Sequence, residues 1–129
     1  MGYESRLYVV QKSDIKGFRE PKTKDKTWCE VLATIELCKV GGDFFVYLEK
    51  YPATDSFFYT ENETVIEDKY GEPLKEIPIK DMINILERQK AEDIVREGVP
   101  YRRLEPAIAL LKGFDPEQWG EVVVLHYGH

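Results

Sequence analysis

Histidine and cysteine are scarce in this chain, two of each in 129 residues, and that scarcity limits the chemistry it can carry. His126 and His129 stand three apart, a spacing that sends strand side chains to opposite faces, and neither cysteine is near them in sequence; no metal site is expected. Cys29 and Cys38 are nine apart in one strand-like run, an odd separation, so they read as two free thiols rather than a disulfide. A Gly-x-Ser-x-Gly elbow is missing, as is a glycine-rich loop between a strand and a helix that could cradle phosphate. The carboxylate pairs Glu30 with Glu36 and Glu67 with Asp68 have no apolar setting in the sequence to raise a pKa. The expectation is a protein without catalysis, cofactor or metal. No apolar run approaches the ~20 residues of a membrane span, and the opening residues lack the build of a signal peptide, so the expected location is the cytoplasm. With 24 acidic against 18 basic residues and a net charge of −6, direct binding of nucleic acid is not expected.

What is present is a folding composition, 43% hydrophobic and 12% aromatic, of the size of one domain spanning 1–129. The segment Asp68–Pro78 divides it. Before it lie short runs rich in Phe, Tyr, Val and Thr; after it the apolar spacing turns helical. This order predicts an α+β fold: an antiparallel sheet of five to six strands packed against two helices of the C-terminal half, the last strand returning into the sheet. Strands are expected at 4–11, 28–38, 44–50, 57–59, 64–66 and 122–125. Gly41-Gly42-Asp43 reads as the hairpin turn into 44–50. In 28–38, Cys29, Val31, Ala33, Ile35 and Leu37 form the apolar, core-facing set. Helices are expected from about Pro78 to Gly98 and from about Arg103 to Lys112. The first carries the stripe Ile79, Met82, Ile83 and Leu86, which slips around the helix at Ala91, Ile94 and Val95. Such a slip calls for a bend or for a different partner on the second half.

Three groups of residues are candidates for binding. Trp28, Phe45, Tyr47 and one of Phe58 or Tyr59 share the wetter side of the expected strands, where they either complete the core or form an interface. Tyr101-Arg102-Arg103, between the helices, suits an anion or a stacked ring. Glu61, Glu63, Glu67 and Asp68 belong to an acidic stretch that continues past Tyr70 to Glu76, opposed in charge to the basic stretch Lys12–Lys26.

Met1-Gly2-Tyr3-Glu4-Ser5, the turn Asp68-Lys69-Tyr70-Gly71-Glu72-Pro73-Leu74, and the ending from Trp119-Gly120 to His126-Tyr127-Gly128 resemble small early-type proteins of bacteriophages and prophages of Gram-positive bacteria. The resemblance implies origin and a mode of action: proteins of this type work by binding inside a bacterial host cell. The leading expectation is a non-enzymatic inhibitor of a host defence factor, such as a CRISPR effector, by protein–protein contact. The alternative is an oligomeric sponge that holds a small signalling nucleotide between aromatic faces and Arg102 or Arg103. A small hydrolase using His126 comes last. A deep pocket lined with converging ionisable groups would count against a pure binding role.

Overall fold

The computed structural model describes residues 4–16, 21–61, 63–114, 116–119 and 121–129. Six strands, β1 (Ser5–Lys16), β2 (Thr27–Cys38), β3 (Ser56–Tyr59), β4 (Thr64–Val65), β5 (Lys75–Pro78) and β6 (Val122–Gly128), form one sheet in the order β4-β3-β2-β1-β6-β5. All pairings are antiparallel except β2 with β3, where Thr27 meets Ser56 and Trp28 meets Phe57 in parallel. Among the described residues, four α-helices and a 3-10 turn (Pro21–Thr23) complete the fold: α1 (Phe44–Leu48), α2 (Ile79–Glu97), α3 (Leu104–Lys112) and the single turn α4 (Pro116–Trp119). The fold is α+β, and β6 enters the sheet between β1 and β5. Its run Val122-Val123-Val124-Leu125 is apolar on both faces because both faces are covered.

Residues 44–50 correct the sequence expectation. They are not a strand: Phe44–Leu48 is a helix, with Phe44 and Leu48, one helical turn apart, turned into the core. A chain that crosses from β2 to β3 through a helix arrives parallel, hence the one parallel pairing. So short a helix holds only through tertiary contacts. Its clamp is Lys75, whose ammonium donates to the carbonyls of Leu48, Glu49 and Tyr51 at 3.2, 3.4 and 3.2 Å. A cation at the carbonyl end of a helix satisfies acceptors that have no partner in the helix itself. Lys75→Met should lower stability by about 2 kcal/mol, since each charge-assisted bond carries more than a neutral one. Urea unfolding checks this, and an unchanged midpoint would remove the clamp.

In place of a strand at 44–50 the sheet has β5, formed by the last residues of the dividing segment. β1 also runs past the expected end at residue 11 to Lys16, which pairs with Thr27. Gly17, Phe18, Arg19 and Glu20, part of the expected basic stretch, lie outside the described residues.

A β-bulge alters the faces of β2. Val9 pairs with Ala33 but Val10 with Val31, leaving Leu32 as the extra residue. The expected core set of five therefore splits. Ala33, Ile35 and Leu37 face the helices with Leu7 and Val9, whereas Cys29 and Val31 face the other side with Tyr8 and Val10. The helix-side core is filled by Met82, Ile85 and Leu86 of α2 and Leu104, Ile108 and Leu111 of α3. On the reverse side the sheet curls over a second cluster containing Phe58, Val65, Leu74 and Leu125. The curl is fixed by pairing of the segment entering β3 with the outer edge of β5: Ala53 bridges Lys75, Thr54 N–H donates to Leu74 O, and Glu76 N–H donates to Pro52 O.

Candidate functional site

The last two turns of α2 invert the usual rule of burial. Its inward stripe passes from Met82, Ile85 and Leu86 to Gln89 and Asp93, two polar residues that are buried. Ile94, Val95 and Val99 are left 46%, 89% and 66% exposed. The slipped stripe does not bend the helix inward; it stays outside. Asp93 is fully engaged where it lies: Oδ1 accepts from Gln89 Nε2 at 2.9 Å and Arg96 Nη2 at 3.0 Å, and Oδ2 accepts from Tyr101 N–H at 3.0 Å. Gly98, at φ 82°, closes the helix with its N–H on Ile94 O, and Val99 follows directly. Gly42, at φ 64°, packs so tightly under this end that an added Cβ would lie 2.6 Å from Gln89 Nε2. The exposed aliphatic side chains thus stand on a helix end held by the Asp93 hydrogen bonds.

Among the described residues, the expected aromatic face does not exist, because Phe45 and Tyr47 belong to α1 rather than to a strand. Phe45 packs beside His126, ring centres 6.0 Å apart. Tyr47 carries the Arg88 guanidinium 4.7 Å above its ring and donates its hydroxyl to Glu92. Trp28 is half-buried on β2, Phe58 is in the reverse-side core, and Tyr59 and Tyr70 are exposed at separate places.

Arg102 and Arg103 do come together, along one side of a cavity of about 500 Å³ between β2 and α3, with Glu36, Pro106 and Leu110 also in its wall. Arg103 Nη1 donates to Glu36 O at 3.1 Å, which holds that guanidinium against β2, while Arg102 is exposed. Tyr101 turns away from this cavity to donate its hydroxyl to Leu37 O at 2.7 Å. Glu63, Glu67 and Asp68 share a depression of about 270 Å³ with Lys22 and Tyr127; Glu61 does not line it. Asp68 is buried and accepts the N–H groups of Tyr70 and Glu72 on Oδ1, which shapes the turn.

A third cavity, about 440 Å³, brings Glu49, Asp68, Glu72, Lys75 and His126 together beneath α1. This is the arrangement of ionisable groups that would count against a pure binding role. Three of its groups hold the fold: Lys75 caps α1, Asp68 shapes its own turn, and His126 Nε2 lies 2.9 Å from the buried Ser5 Oγ. Burial pushes the His126 imidazole down to about 4, with Lys75 adding to the effect and Asp68 opposing it. His126 is therefore neutral at physiological pH. Ser5, its partner, does not line the cavity.

The two histidines do face opposite sides, but the end of β6 is held rather than frayed: Glu4 and His129 exchange both backbone hydrogen bonds, at 2.7 and 2.9 Å. His129 Nε2 lies 2.7 Å from Glu36 Oε1, and Cys38 Sγ lies 3.9 Å from the same oxygen. Two residues far apart in sequence, Cys38 and His129, thus approach the same carboxylate oxygen. Burial disfavours the charge on Glu36, yet hydrogen bonds from Arg6 and His129 outweigh it and hold the carboxyl below its ordinary range. Among the described residues, no helix is long and apolar enough to cross a membrane. No family, curated protein or solved structure matches the chain.

Proposed function

We propose that this protein works by binding a protein partner through the exposed end of α2. The observation that carries this reading is the burial of Gln89 and Asp93 in the stripe while Ile94, Val95 and Val99 stand in water. Burying one such aliphatic side chain is worth about 1.5–3 kcal/mol, so leaving three outside and two polar groups inside is a poor bargain for the isolated domain. It becomes favourable when a partner covers them. The surrounding Arg88, Arg96 and Glu97 supply a charged rim of the kind that orients an apolar contact. The partner class proposed, on the phage resemblance alone, is a host defence protein such as a CRISPR effector, blocked by occupation rather than by chemistry. The test is affinity capture from host extract with the parent chain and with Val95→Lys side by side. One stoichiometric partner held by the parent and lost by the variant supports the reading; equal capture by both sinks it.

The second reading, a sponge for a small nucleotide, has one observation in its favour: the two arginines flanking a cavity of about 500 Å³. Phosphate oxygens match guanidinium geometry. None of the proposed aromatic faces lines this cavity, so recognition there would rest on charge and hydrogen bonds rather than stacking. If this reading holds, calorimetric titration with a cyclic dinucleotide or ATP saturates at one per cavity, and Arg102→Ala weakens binding about 10-fold or more. Flat heats would eliminate it. A hydrolase built on His126 has the least support, since Ser5 and His126 are both buried and hydrogen-bonded to each other.

A further inference from the structure

We propose that the paired ends of β1, β2 and β6 form a binding site for one divalent transition-metal ion of the zinc type, with Cys38, Glu36, Glu4 and His129 as its donors. These residues come from three separate parts of the sequence, and strand register alone brings them together. Ser5 pairs with both Cys38 and Gly128, while Glu4 and His129 exchange both backbone hydrogen bonds. The Cys38 sulfur and a carboxylate oxygen from each of Glu4 and Glu36 lie within 4.8 Å of one another, and His129 Nε2 is 2.7 Å from Glu36 Oε1. All four residues are half-buried, so they are partly desolvated yet reachable by an ion.

The separations around Glu36 suit a zinc-sized ion. Tetrahedral coordination at about 2.3 Å to sulfur and about 2.0–2.2 Å to nitrogen and oxygen puts neighbouring donor atoms roughly 3.3–3.7 Å apart. The Cys38–Glu36 distance of 3.9 Å is close to that, and the His129–Glu36 contact of 2.7 Å needs to open by less than an ångström. His129, which does not lie within 4.8 Å of all three other donors, completes the site by turning its ring from Glu36 toward the shared centre. Charge also balances. A thiolate and two carboxylates carry three negative charges, matched by one divalent cation together with Arg6, whose Nε holds Glu36 Oε2 at 2.7 Å. Arg6 fixes the orientation of Glu36 and leaves Oε1 for the ion, the outer-shell arrangement common at metal sites. Entry of the ion displaces the Cys38 thiol proton and replaces the His129–Glu36 hydrogen bond by two coordinate bonds. The mixture of thiolate, imidazole and carboxylate favours Zn²⁺ over Mg²⁺ or Ca²⁺, which take oxygen donors. With four protein donors the site is a clamp on strand ends rather than a centre with a free position for substrate.

The experiment is titration of the chelator-treated full chain with Co²⁺, followed by near-ultraviolet absorption for a thiolate-to-cobalt band. The proposal predicts saturation at one ion per chain, reversal on adding Zn²⁺, and a thermal midpoint that rises with Zn²⁺. Cys38→Ser should abolish the band and Cys29→Ala should keep it. His129→Ala, at the edge of the fold, should weaken the affinity by about 10-fold or more, which keeps the test decisive if Cys38→Ser folds poorly. No band, a band that survives Cys38→Ser, or a band lost only with Cys29→Ala would each overturn the site.

Discussion

A Val95→Lys chain is expected to fold as the parent does and to bind its partner at least about 30-fold more weakly, the loss expected when a central contact worth about 2 kcal/mol is removed. The reasons are local. Val95 is 89% exposed, so its replacement leaves no cavity, and a lysine in the last turn of α2 meets the carbonyl end of the helix, where a cation is favoured. The urea midpoint should therefore move by no more than about 0.5 kcal/mol in stability. In a complex the same ammonium faces an apolar groove and must be desolvated without a counter-charge. Ile94→Ser is a milder version, because Ile94 is already partly covered. A variant that binds as the parent does would show that this helix end is ordinary surface.

Acid should weaken the fold in two separable stages, and His126 governs the first. Its pKa in the folded protein is about 4, against 6.5 for the ordinary side chain. The neutral form is the one the fold accepts, so its contribution is complete above pH 6.5. The unfolded chain takes up the proton first as pH falls, and stability drops until pH passes about 4, where the folded imidazole protonates too. A shift of that size corresponds to about 3 kcal/mol across the window. Glu36 acts lower down: its carboxyl is held below 4.5, so its contribution is lost only beneath the ordinary carboxylate range. Urea midpoints of the parent and of His126→Asn, measured from pH 7.5 to 4.5, test this. The parent should lose stability steadily and the variant should be nearly flat. Parallel slopes would mean that His126 is not buried neutral.

The order of sheet before helices was legible in the sequence because the apolar period changes from two to 3.6 across Asp68–Pro78, and residues 79–97 and 104–112 lie close to where their punctuation by Pro78, Gly98 and Gly113 put them. What was not legible depended on partners far along the chain. Phe44–Leu48 is an unbroken run of residue types that favour strands; only the pair Phe44 and Leu48, four apart and both buried, hints at a helix, and the Lys75 cap that holds it comes from β5. The bulge at Leu32 depends on how β1 pairs with β2, which no single-strand pattern reveals. The candidate site divides the same way. The slip at Ala91, Ile94 and Val95 was visible as an anomaly, and its resolution in favour of solvent required knowing that Gln89 and Asp93 occupy the inside. The approach of Cys38 and His129 to one carboxylate, Glu36, is a matter of register alone.

The most direct test of the binding account is the solution mass of the protein, by light scattering after gel filtration, alone and after incubation with host extract, for the parent and for Val95→Lys. The account predicts a parent of 15.1 kDa that shifts to a larger species of fixed stoichiometry in extract, and a variant that does not shift. A parent that stays at its own mass in extract, that dimerises with no extract present, or that shifts together with the variant would contradict it.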